Sequence, residues 1–139
     1  MSLDREVLAE RAASVERHLA RVAERLPVAP ADLRPSTDAS DAVLLHLWQA
    51  TQIVLDVALG ACATFRLGTP AGYADAFLRL GSTGMLDEQL ARRLAGAAGF
   101  RNVIAHAYET IDMARVHRAA SSGPKDLREF LAKIRDRLP

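Results

Sequence analysis

Four polar side chains crowd one short segment, Phe100-Arg101-Asn102-Val103-Ile104-Ala105-His106-Ala107-Tyr108. Arg101 offers a planar fork of donors that matches a phosphate. His106 can exchange a proton near neutral pH. Asn102 can orient an imidazole or donate to a phosphate oxygen. These groups suit RNA cleavage by attack of the ribose 2′-OH on the adjacent phosphate, which needs proton transfer and charge stabilisation and does not require a metal.

The apolar residues of the segment, Phe100, Val103, Ile104 and Ala107, with Ile111 beyond it, make one helical stripe, so the polar residues point away from the core. At about 100° per residue, Arg101 and Tyr108 fall nearly in line and Asn102 stacks on His106, with Ala105 leaving a shallow hole between the pairs. Arg101 and His106 are then about 140° apart on an ideal helix, so a single chain presents them poorly together. A wet helix face carrying Arg, Asn, His and Tyr is also common without any activity, and residue types and spacing alone leave catalysis open.

The remainder of the chain reads as the helical frame for this segment. Its 139 residues suit one domain, 1–139. Half are apolar and aromatics are scarce, with Ala, Leu, Arg and Glu dominating, a mixture that favours helix over strand. Apolar residues recur at helical spacing from Leu3 to Leu26, ended by Pro27 and Pro30. After a polar linker from Val28 to Asp38, with Ser36, Thr37 and Asp38 as possible caps, a long helix is expected from Asp38 to Phe65. Its apolar stripe is wide enough for a fully internal helix or for one that faces a second copy of the chain. Thr69-Pro70 reads as an N-cap and first helical position of a short helix through Leu80, followed by a turn from Gly81 to Gly84. Asp87 opens a fourth helical stretch, weakened by Gly96 and Gly99. A short helical piece, Met113 to Ala120, is expected to break at Ser121-Ser122-Gly123-Pro124 before a last helix with Leu127, Phe130, Leu131, Ile134 and Leu138 on one face.

Formal net charge is +1, so any nucleic-acid binding must rest on local arginine clusters. The single cysteine, Cys62, excludes a disulfide framework or thiolate metal site and is expected in the core. The start lacks the pattern of a signal peptide, and the longest apolar stretch, Ile53 to Phe65, is interrupted by Asp56 and too short to span a bilayer. A soluble cytoplasmic protein is expected, with no membrane association. His18, His46 and His117 lack metal-ligand spacing; His18 is expected to be solvated, His46 interfacial, and His117 part of an exposed face or, with Arg115 and Arg118, of a basic rim. Arg92 and Arg93 could steer RNA or simply be solvated.

Arg101, four residues, His106, one residue, then Tyr108 resembles the R-x4-H-x-Y motif of HepT-type HEPN toxins. The blocks Asp41 to Ala50, Ile53 to Ala58, Gly99 to Asn102 and the Pro70 to Leu80 helix are similar to that family at corresponding places. The likeness is weakest over the first helix, the linker and the last helix. It implies an all-α HEPN-type bundle of about five helices that forms a homodimer, with two chains sharing one cleft. It implies the toxin of a type VII (HEPN/MNT) toxin–antitoxin pair, a metal-independent endoribonuclease acting on RNA, with transfer RNA as the expected target. By resemblance His106 is the catalytic acid or base, Arg101 binds the scissile phosphate and Asn102 supports the site. Tyr108 is implied to receive AMP from a cognate minimal nucleotidyltransferase antitoxin, an off-switch beside the catalytic residues. No metal or cofactor is implied. The alternative is a non-catalytic helical partner and substrate of a nucleotidyltransferase.

Overall fold

The structure, a computed structural model, describes residues 3–139. Five α-helices follow one another: α1 (Arg5–Arg25), α2 (Asp38–Thr64), α3 (Tyr73–Ser82), α4 (Glu88–His106) and α5 (Met113–Arg137). Short 3-10 turns at Pro30–Asp32 and Tyr108–Thr110 lead into α2 and α5. The all-α bundle of five helices expected from the sequence is present, and no strand occurs among the described residues.

α2 is the axis of the bundle and touches each of the other four helices. It is long and apolar enough by length and composition to cross a membrane, although its most apolar contiguous stretch is short, and half of its apolar window is buried inside the bundle. Its hydrophobicity is that of a core helix. Thr37 caps it: Thr37 Oγ1 accepts from Ser40 N while Ser40 Oγ accepts from Thr37 N, a reciprocal box that satisfies two orphan donors. Asp4 caps α1 through Val7 N at 2.8 Å, Asp87 caps α4 through Gln89 N and Leu90 N, and Asp112 caps α5 through Ala114 N.

Besides the end of α4, three boundaries differ from expectation. α3 starts at Tyr73 rather than after Thr69-Pro70, because Gly72 is extended and the Asp75 carboxylate takes up Ala71 N at 2.8 Å. Gly81 belongs to α3 rather than to a turn; a Cβ there would come within 2.7 Å of Ala91 Cβ, so the bare backbone lets α3 lie close against α4. The expected break at Ser121 to Pro124 does not occur, and α5 is continuous with Pro124 inside it. Pro124 removes only the single backbone bond to Ala120 O, and the helix continues across it; Ser121 and Ser122 hydroxyls back-bond to His117 O (2.7 Å) and Arg118 O (2.8 Å) in the turn before. Gly123 lacks the Cβ that would clash with the proline ring.

Two apolar clusters fill the interior. The larger joins α1, α2, α3, α4 and α5 around Leu55, Phe77, Leu80, Leu94 and Phe130, and Phe77 meets Phe130 edge to face at 5.3 Å. Cys62 is fully buried there, as expected, with Sγ 3.6 Å from Ala76 O. The smaller cluster gathers Val22, Leu33, Val43, Leu44, Leu47, Ile104, Ile111 and Val116, with Trp48 and Phe100 partly buried at its edge. The polar segment around His106 sits on this smaller cluster.

Candidate active site

α4 carries the segment as far as His106 and then stops. Ala107 leaves helical geometry, and Tyr108 begins the 3-10 turn. Tyr108 is therefore not in line with Arg101 one helical face away. Its hydroxyl instead donates to Asp41 Oδ1, in the first turn of α2, at 2.5 Å. That bond, then partial burial and the charge of Asp41, hold the phenol protonated, with its pKa pushed up to about 12. Tyr108 keeps 44% of its surface exposed, so the hydroxyl is fixed yet reachable.

Arg101 lies inward. Its guanidinium is stacked 5.4 Å from the centroid of the Trp48 ring, a cation–π contact. Nη1 donates to Asn102 Oδ1 at 3.0 Å, so Arg101 and Asn102 are brought together. Among the described residues, Arg101 Nε and Trp48 Nε1 are both buried without a hydrogen-bond partner. Asn102 and His106 are both exposed on the last two turns of α4. His106 makes no hydrogen bond among the described residues, and its ring stands free for an incoming group. One chain thus assembles Arg101 with Asn102, and Tyr108 with Asp41, but joins His106 to neither pair.

Sequence reasoning missed Asp41 and Trp48 as parts of this site. They are seven residues apart on α2 and share one face, with Leu44 and Leu45 between them. The signal available for Trp48 was the wide apolar stripe of the long helix, read as internal packing or as a face toward a second copy of the chain; Asp41 gave none. Asp41, Leu44, Leu45, Trp48, Ile104, Ala105 and Tyr108 now line an open cavity of about 560 Å³, in place of the shallow hole expected at Ala105. Leu45 is 53% exposed at its mouth.

The other histidines also depart from expectation. His117 is buried, not on an exposed face. Its Nε2 lies 2.7 Å from Pro27 O; a carbonyl only accepts, so that nitrogen carries the proton. It pins α5 to the chain leaving α1 and adds nothing to a basic rim. His18 is half-buried rather than solvated: its Nδ1 is 3.0 Å from Nδ1 of His46. Arg115 and Arg118 do flank a groove of about 400 Å³ between α4 and α5, with Arg93 and an apolar floor of Leu47, Leu94 and Phe100. Arg93 is paired with Asp126 at 3.1 Å, and Arg115 stacks over Phe100 at 5.0 Å. Among the described residues no cluster of three or more His, Cys, Asp or Glu could hold a metal ion.

Residues 15–134 match the family described as ribonuclease HepT-like. The chain belongs to the HepT-like family. One relative is the mRNA nuclease HepT of Shewanella oneidensis, 24% identical over 95 residues, which are 68% of this chain and 71% of that protein. Among solved structures, a toxin–antitoxin complex with AMP-PNP contains a chain that superposes with a TM-score of 0.86 at 19% identity, covering 95% of this chain and 99% of that one. A tri-AMPylated Shewanella oneidensis HEPN toxin in complex with an MNT antitoxin gives 0.85 at 20% identity, covering 95% and 98%. YutE of Bacillus subtilis, a cytosolic protein of unknown function, gives 0.79 at 19% identity, covering 96% and 90%. At such identities these structures establish the HepT-like fold of the chain.

Proposed function

We propose that this HepT-like chain, residues 1–139 acting as one unit, is the toxin of a HEPN/MNT pair: a cytoplasmic, metal-independent endoribonuclease silenced by AMP transfer to Tyr108. The observation that carries the nuclease reading is the free His106 ring, exposed little more than one turn from an Arg101–Asn102 pair. His106 acts as general acid or base on the ribose 2′-OH and leaving oxygen, Arg101 neutralises the scissile phosphate and Asn102 holds Arg101 in place. His106 and Arg101 point apart within one chain, so the site is completed by a second copy. The side of the cavity mouth formed by Leu45, Trp48 and Ala105 is an apolar surface suited to that homodimer contact. The relative's name points to messenger RNA as substrate beside the transfer RNA implied by the motif. The antitoxin is a minimal nucleotidyltransferase, in keeping with the AMPylated HEPN toxin of similar fold.

The test is cleavage by purified protein whose intact mass shows no AMP, on total transfer RNA and on a messenger RNA, with EDTA present. Cleavage by wild type and none by His106→Ala, with the helical spectrum unchanged, is the expected result. Equal cleavage by the variant would overturn the assignment of His106. No cleavage by unmodified wild type would leave a non-catalytic partner of a nucleotidyltransferase as the better reading.

A further inference from the structure

We propose that Asp41 is the general base for AMP transfer to Tyr108, so that the acceptor chain supplies part of the catalysis of its own modification. This rests on the reading of Tyr108 as the AMP acceptor.

The geometry is specific to this proton. Asp41 Oδ1 accepts from the Tyr108 hydroxyl at 2.5 Å, and that is the only hydrogen bond Asp41's side chain makes among the described residues. Asp41 has no ion pair there either, so its charge is directed at this one hydrogen. The two residues lie 67 positions apart and are brought together by the end of α4 at His106 and the start of α2 at Asp38. Both are exposed, so a nucleoside triphosphate held by another protein can reach the phenol oxygen while the carboxylate keeps hold of the proton.

Phenol oxygen is a poor nucleophile while protonated, and this phenol ionises only near pH 12. Waiting for phenolate is therefore not a route at neutral pH. A carboxylate in contact removes the difficulty. As Tyr108 Oη bonds to the α-phosphorus of ATP, its remaining hydrogen becomes strongly acidic and passes to Asp41 Oδ1. The bond between the α-phosphorus and its bridging oxygen breaks, and pyrophosphate leaves with the electron pair. The product is a tyrosyl–AMP phosphodiester and a protonated Asp41, which returns its proton to water. The new phosphodiester anion then faces a carboxylate, and this repulsion drives modified Tyr108 away from α2.

The experiment uses the full chain, the nucleotidyltransferase that co-purifies with the tagged chain from its own cells, ATP and Mg²⁺, with AMP on Tyr108 followed by intact mass. Asp41→Asn keeps an oxygen that accepts from the phenol but takes no proton. It is expected to lower kcat by about 10²-fold, the lower end of general base catalysis, with KM little changed. Its rate should recover as pH is raised, because the phenol loses the carboxylate that holds it protonated. Asp41→Glu should restore part of the rate, and Tyr108→Phe should take no AMP. Wild-type rates in Asp41→Asn, or a loss confined to KM, would overturn the base role alone. Failure of that enzyme to modify wild type at Tyr108 would overturn the antitoxin reading and this inference with it.

Discussion

The two ends of the bundle are built to different standards. Where α3 and α4 meet α5, Phe77, Leu80, Leu90, Leu94, Phe130 and Ile134 are sealed from solvent and α3 rests directly on α4 through Gly81. Where the Tyr108 turn meets α2, Trp48 Nε1 and Arg101 Nε are buried without partners, while Leu45 and Tyr108 stand half exposed beside an open cavity. A buried donor left unpaired costs about 1–3 kcal/mol, and such groups call for a reason. The first end is finished within one chain. The second has the character of a surface that another molecule completes, which is how a shared catalytic cleft would look in one protomer alone.

Cutting into the finished end should be the most damaging change. Phe130→Ala removes a fully buried ring and its edge-to-face contact with Phe77, and is expected to cost about 3–5 kcal/mol. That is a large share of the roughly 5–15 kcal/mol available to a domain. A urea titration measures it, and a loss below about 1 kcal/mol would mean that this end is not the better packed one. Gly81→Ala should follow. Its methyl would sit 2.7 Å from Ala91 Cβ between two helices that cannot both stay in place, at an expected cost of about 1–3 kcal/mol. Thermal melting of the two variants beside wild type gives the ranking.

Much of the helical frame was legible in the sequence because its causes are local. The apolar period of α1 and α2, the Thr37 cap and the core position of Cys62 follow from residues a few places apart. The start of α3 was misjudged because it depends on the Asp75 carboxylate reaching back to Ala71. The continuity of α5 was missed because Gly123 leaves room for the ring of Pro124 and the apolar face from Val116 to Ile134 packs as one helix on both sides of it. At the site, the residue types of Arg101, Asn102 and His106 were legible, but Asn102 bonds its chain neighbour Arg101 where helical spacing paired it with His106. The place of Tyr108 was not, since an ideal helix was extended past His106. What settles it is a contact with Asp41, 67 residues away, and no periodicity within the segment carries that information.

Trp48→Phe probes the unfinished end more gently. It removes an orphaned donor, which by itself relieves the folded chain, and weakens the stack with Arg101, which opposes it by about 0.5–1 kcal/mol. Dilute protein should therefore change in stability by no more than about 1 kcal/mol. Self-association, measured by sedimentation, should weaken about 5–10-fold, or about 1–1.4 kcal/mol, if the partner chain supplies the acceptor for that N–H. A loss of stability as large as that of Phe130→Ala would erase the contrast between the two ends.

The smallest effect expected is on pH. His18 is held below its ordinary pKa of 6.5 first by burial, then by His46 and by Arg17. The folded chain thus prefers neutral His18, and this preference contributes stability that is present above 6.5 and lost as pH falls through the lowered folded value. The pair at 3.0 Å has room for a single shared proton, so acid must part the rings and loosen α1 from the half of α2 that carries Trp48. Between about pH 7.5 and 5.5, where carboxylates such as Asp75, held low by Arg79, stay ionised, the urea midpoint of wild type should fall slightly. His18→Asn should flatten that dependence. Hydrogen exchange locates the change: once corrected for the intrinsic pH dependence of exchange, amides near His18 and His46 should lose protection on acidification, while those around Phe130 keep theirs. Equal loss at both places would show that the two ends open as one unit, and that their difference lies in packing rather than in stability.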